Sequence, residues 1–207
     1  FEGDFKNISD VFSQYRDRMI SVLNNSDEEI IVCIIGKDIP GKGIAGVFSR
    51  LVMISDSSHL KDRNSGVIIA HELGHLFGAW HIRNADDLMY QRGARYYKAG
   101  VETTSMIKLM RNYNFNVSSL LNNPKLLKRI SRLYGRFHAR SEADPTVRRY
   151  SLNEVNPVAR LYADQGIIHL KNKNYIKAVK AFENSVKYDG GWGKNRILLA
   201  KAYYEVS

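Results

Sequence analysis

The chain has 207 residues, with 31 Lys and Arg against 21 Asp and Glu and a formal net charge of +10. Hydrophobic residues make up 44% and charged residues 25%, which is enough apolar content for a buried core and excludes a disordered chain. The longest aliphatic run, Ile30 to Ile35, is far short of the ~18 apolar residues of a membrane span, and the single cysteine, Cys33, excludes an internal disulfide. At roughly 100–200 residues per domain, the length fits one large domain or two small ones. The chain opens at Phe1 without Met or a basic-then-apolar leader, and so reads as a fragment or a processed form.

In chain order, Ile8, Val11, Phe12, Tyr15, Met19, Ile20 and Leu23 recur at three- and four-residue spacing, which predicts one apolar face of a helix. Asn24-Asn25-Ser26-Asp27 ends it with turn residues. Ile30 to Ile35 is a β-branched run that predicts a buried strand. Pro40-Gly41-Lys42-Gly43 predicts a loop, and Ile44 to Phe48 and Leu51 to Ile54 predict two more short strands. Asn64 or Ser65 is a candidate N-cap for a helix from about Val67 to Phe77. This order of elements predicts an α/β or α+β first domain. Charge is uneven: the net is −2 over residues 1–107, +8 over 108–150 and +4 over 151–207. In the basic stretch Leu126, Leu127, Ile130, Leu133, Tyr134 and Phe137 form a helical stripe, so a solvated basic helix face is the first reading. An acidic partner or membrane surface is the other. No aromatic-plus-glycine pattern of RNA-binding modules is present, and no specific nucleic-acid partner is expected.

The chemistry concentrates in His71-Glu72-Leu73-Gly74-His75-Leu76-Phe77-Gly78-Ala79-Trp80-His81. His71 and His75 are four residues apart and project from one helix face, where two imidazoles can share a Zn²⁺. A single helix does not direct a third ligand to the same ion. Gly78 can adopt a left-handed conformation, end the helix and let His81 return to the metal. Three protein ligands leave a fourth position for water, as in catalytic zinc sites. Glu72, next to the first histidine, is poorly placed as a ligand and well placed as the general base for that water.

This string resembles the metzincin signature, followed by a methionine turn at Asp87-Leu88-Met89-Tyr90. Met89 comes eight residues after His81, and the Leu-Met-Tyr string is similar to that of matrixins. Ile34-Ile35-Gly36-Lys37-Asp38 and Gly43-Ile44-Ala45-Gly46 resemble reprolysins instead. Ile82 stands where reprolysins usually have Asp and matrixins Ser, so the subfamily stays open. Gln91 takes the place of the tyrosine that astacins and serralysins often carry two residues after the methionine, so Tyr90 is not given that role. The resemblance covers about residues 8–113 and is specific over 66–90. It implies an α+β metzincin-type catalytic domain, a small twisted mixed sheet plus helices, over residues 1–114, lacking its N-terminal strand or prosegment. It also implies one catalytic Zn²⁺ on His71, His75 and His81, Met89 beneath the site, and a place outside the cytoplasm. An edge strand at Ile44, Ala45, Gly46, Val47 and Phe48 would pair with an extended peptide substrate. Tyr96 and Tyr97 are candidates for the wall of a side-chain pocket within residues 91–99. Only His59 precedes the helix, so the structural zinc of matrixins is not expected. Cys33 reads as a small core residue.

Beyond a basic helical connector at 115–150, Tyr162, Gly166, Tyr175, Ala178, Phe182 and Ser185 resemble a tetratricopeptide repeat. Ala200 lies 34 residues after Gly166, so residues 151–207 would hold about one and a half repeats of an all-α module that binds a protein partner. The lone His138 and His169 are not expected to bind metal. The expected function is a zinc metalloendopeptidase with a protein-interaction module. The alternatives are an inactive metzincin-fold scaffold acting through the helical repeats and, more narrowly, an aminopeptidase.

Overall fold

The β-branched run Ile31–Ile35 forms strand β1, Gly43–Ala45 forms β2, and Leu51–Ser55 forms β3. The computed structural model describes residues 8–24, 30–35, 43–55, 65–82, 84–90, 97–143 and 155–206. The candidates Asn64 and Tyr96, and His59, lie outside them. The strands make a three-stranded mixed sheet in the order β1-β3-β2. β1 runs parallel to β3, with Ile31 opposite Leu51, and β2 runs antiparallel to it, with Gly43 opposite Ile54. β3 is central and buried along its whole length, as expected for a strand covered on both faces.

Helix α1, Ile8–Asn24, packs one face of the sheet through Ile8 and Val11 against Ile35 and Met53, with Cys33 and Ile44 beside them. Burial raises the pKa of the Cys33 thiol, which leaves little nucleophilic thiolate. Helix α2, Ser65–Leu76, packs the other face with Leu76 against Val52 and Ile54. Ile68, Ile69, Leu73 and Phe77 join this core. Helix α3, Val101–Met110, buries Met106 and Met110, and the short α4 spans Val117–Leu121.

The strand predicted over Ile44 to Phe48 stops at Ala45, and residues 46–49 turn, with the Ser49 N–H donating to the Gly46 carbonyl at 3.1 Å. Phe48 takes a left-handed φ of 58°, which an aromatic residue adopts only under tertiary constraint. Its N–H donates to the His75 carbonyl at 3.2 Å, and its own carbonyl accepts from the Tyr113 hydroxyl at 3.2 Å.

The chain divides into two units, Phe1–Asn122 and Asn123–Ser207. All described elements of the second are helical: α5 Pro124–Ala143, α6 Pro157–Lys171, α7 Tyr175–Tyr188 and α8 Gly193–Tyr204. Pro at the first position starts both α5 and α6, where its missing N–H costs nothing. Asn156 caps α6 by accepting from the Val158 N–H at 3.0 Å. α5 buries Leu127, Ile130, Tyr134 and Phe137 and exposes Lys125, Lys128, Arg129, Arg132 and Arg136. The chain is therefore a mixed α/β protein with eight helices and one small mixed sheet among its described residues. No described helix is long and apolar enough to cross a membrane.

Ala163, Ala178, Phe182 and Ala202 form the core of α6, α7 and α8. Gly166 is what lets α6 approach α7: a Cβ there would lie 2.5 Å from the Phe182 ring. Ala200, the small residue 34 positions on, is exposed, and Ala202 is the buried one. No described helix follows α8 to cover Ala200. Gly166→Val is expected to destabilise the second unit by about 1–3 kcal/mol through overpacking. Urea unfolding followed by far-UV circular dichroism checks it; an unchanged midpoint would mean that the ring moves aside freely.

Candidate metal centre

Helix α2 carries His71, Glu72 and His75, all buried. Its end is set by a glycine. Gly78 has φ of +82°, its N–H donates to the His75 carbonyl at 2.8 Å, and the Ala79 N–H donates to the Gly74 carbonyl at 3.0 Å. These two bonds are the Schellman pattern, which stops a helix and turns the chain sharply. The turn brings His81 back. Its Nε2 lies 3.2 Å from Nε2 of His75, and one ligand nitrogen from each of His71, His75 and His81 falls within 4.8 Å of the others.

The backbone selects the nitrogens. His71 Nδ1 lies 2.7 Å from the Leu88 carbonyl oxygen, and His75 Nδ1 lies 2.7 Å from that of Ala79. A carbonyl only accepts, so Nδ1 carries the proton in both rings, and the lone pair of each neutral imidazole sits on Nε2, the nitrogen that can bind a metal. Burial lowers the pKa of His71, which favours the neutral form that metals bind. Zn–N bonds of 2.0–2.1 Å at tetrahedral angles place two ligand nitrogens about 3.3–3.4 Å apart, close to the 3.2 Å between His75 and His81. The three histidines are thus positioned to hold a metal ion, and the set is compatible with zinc.

Met89 is fully buried and packs its sulfur on α2, so close that a Cβ at Gly74 would be 2.6 Å away. The Ile82 N–H donates to the Met89 carbonyl at 2.8 Å and ties the segment after His81 to the methionine turn.

Glu72 points to the sheet. A Cβ on Gly43 would lie 2.7 Å from its Oε1, so its carboxyl rests on the backbone of the first residue of β2. Burial pushes that carboxyl up to about 8, because removal from water disfavours the charged form. β2 is an edge strand, and no described strand pairs with its outer side. Ile44 turns its side chain to the α1 core and Ala45 to the α2 core. Gly46 follows the strand in the turn. Tyr97 is exposed, with its hydroxyl against Gly66 near the start of α2.

Sequence reasoning missed Gly43 as the neighbour of Glu72, Phe48 as the support of the glycine turn, and Asp87, a buried carboxylate that holds the methionine turn. A glycine at the end of a loop run and an aspartate before an apolar pair carry no signal of such contacts. No family model, curated protein or solved structure matches the chain.

The turn at Gly78 is testable by itself. A Cβ there would overlap the Phe48 ring, and left-handed backbone costs a non-glycine residue roughly 1–2 kcal/mol before any overlap. Gly78→Ala is expected to lower stability by at least about that amount and to weaken metal binding, because His81 depends on the turn. Denaturant titration and a chelator competition measure the two effects; neither changing would show the turn to be adaptable.

Proposed function

We propose that the chain is a zinc-dependent metalloendopeptidase of the metzincin type, carrying a tetratricopeptide-like helical module for protein partners. The observation that supports it is a convergence: three imidazoles aimed at one point, beside a buried carboxylate that rests on an edge strand. A zinc ion held by His71, His75 and His81 supplies Lewis-acid polarisation of the scissile carbonyl and a water acidified towards a pKa of about 7. The residues of the chain do the rest. Glu72 accepts a proton on its carboxylate and returns it to the leaving amine. A cation nearby favours its charged form and opposes the effect of burial. The outer edge of β2 offers backbone N–H and C=O groups to an extended peptide. His71 and His75 stay oriented because Leu88 and Ala79 hold their Nδ1 protons.

In the second unit, the close approach at Gly166 and the Ser185 hydroxyl donating to the Ala159 carbonyl at 2.8 Å support a repeat-like α6–α7 pair. Such a pair fits a docking role, and the exposed cations of α5 suit an acidic partner surface. The experiment is direct. Purified protein is expected to hold about one zinc per chain and to cleave casein or a mixed-sequence peptide library. A chelator should stop cleavage and added zinc should restore it. Zinc bound without cleavage of any peptide would overturn the peptidase and leave a metal-binding scaffold.

A further inference from the structure

We infer that Asp87 is a positioning residue for the metal ligand His71, acting through the peptide bond between Leu88 and Met89. The inference rests on the three-histidine cluster being a metal site, and it does not need the peptidase chemistry.

Asp87 is 3% exposed, and a carboxylate is seldom buried so deeply without a purpose for its charge or a full set of donors. Its Oδ1 accepts from the Met89 N–H at 2.8 Å and from the Thr103 hydroxyl at 3.2 Å. Its Oδ2 accepts from the Gly100 N–H at 2.7 Å, at the N-terminus of α3. Gly100 has no side chain to keep the carboxylate away; a Cβ there would collide with Oδ2.

The Met89 N–H and the Leu88 carbonyl belong to one peptide unit, which is planar. Fixing the direction of the N–H therefore fixes the direction of the carbonyl on its other side. That carbonyl takes the Nδ1 proton of His71 at 2.7 Å. A second bond, from the Leu88 N–H to the Lys98 carbonyl at 2.7 Å, anchors the preceding peptide unit. Asp87 thus sets the plane that sets the His71 ring. Its negative charge also polarises the peptide, strengthens the Leu88 carbonyl as an acceptor and makes His71 Nε2 a better donor to a metal. Asp87 touches neither metal nor substrate in this role. A purely structural Asp87, one that only ties the methionine turn to α3, would affect folding without tuning the metal.

Asp87→Asn tests the difference, since it keeps the shape and removes the charge. Thr103→Val is the control, because it takes one bond from the carboxylate and leaves the Leu88–Met89 peptide untouched. Zinc affinity is measured by competition with a chromophoric chelator, the visible absorption of the cobalt-substituted protein is recorded, and the melting temperature of the metal-free chain is followed. Asp87→Asn is expected to weaken zinc binding by about 10–100-fold and to shift the cobalt bands, with Thr103→Val staying within about twofold of wild type on that same scale. Asp87→Ala, which removes the acceptor of the Met89 N–H as well as the charge, is judged beside it by the same two readouts. Wild-type affinity and cobalt bands in folded Asp87→Ala, or in Asp87→Asn where the alanine variant does not fold, would overturn the inference, even with a lowered melting temperature. A wild-type chain that binds no zinc would instead overturn the metal site itself.

Discussion

Glu72→Gln is expected to keep the metal and lose the chemistry. The side chain is buried and its Oε1 rests against Gly43, so an isosteric amide fits the same space without repacking. Glutamine cannot take up a proton at neutral pH. General acid–base catalysis contributes roughly 10²–10⁴-fold, and a fall in kcat/KM of about that size on a fluorogenic peptide is the expected result. Zinc content should stay at the wild-type value, because none of the three imidazoles is touched. Cleavage by this variant at close to the wild-type rate would remove Glu72 from the role of base.

His75→Ala should act in the opposite order, on the metal first. His75 is the middle of the cluster: its Nε2 is 3.2 Å from that of His81, and its ring is edge-on to both other imidazoles. Structural zinc sites with four ligands bind with roughly 10–16 kcal/mol in total, so one ligand accounts for about 3–4 kcal/mol, or about 10²–10³-fold in affinity. A three-ligand site that loses one should come through dialysis with little zinc, and peptide cleavage should fall with it. Metal analysis of the two proteins in parallel decides the matter. Full zinc in the variant would mean that the ion is held elsewhere.

The two variants separate holding the metal from using it. A common loss of zinc in both would point to a damaged helix α2, and far-UV circular dichroism of each would show it.

The local spacing of residues was enough for much of the site. Histidines four apart share a helix face because 3.6 residues make a turn, and a glycine three residues later has the freedom to stop that helix. Those are properties of the backbone that hold before any tertiary contact forms. The helices of the second unit were legible for the same reason: Leu127, Ile130, Tyr134 and Phe137 repeat at helical spacing and are the residues that α5 buries. The element boundaries were less so. The short apolar run Ile44 to Phe48 predicts a strand through Phe48, whereas the chain turns after Ala45.

The physical reason lies in the range of the interactions. Phe48 takes its left-handed backbone from partners far along the chain, the His75 carbonyl and the Tyr113 hydroxyl, and its ring packs on Gly78. Glu72 meets Gly43 only because the sheet lays β2 beside α2, and Asp87 meets Gly100 and Thr103 only once α3 has packed. Ala200, small and in register with Gly166, is exposed because no described helix covers it. By itself the sequence determined which side chains share a helix face and where that helix is free to end, since both follow from local geometry. Only the tertiary structure decided which backbone groups orient the histidines and what the buried carboxylates touch, because those contacts join residues that local geometry does not relate.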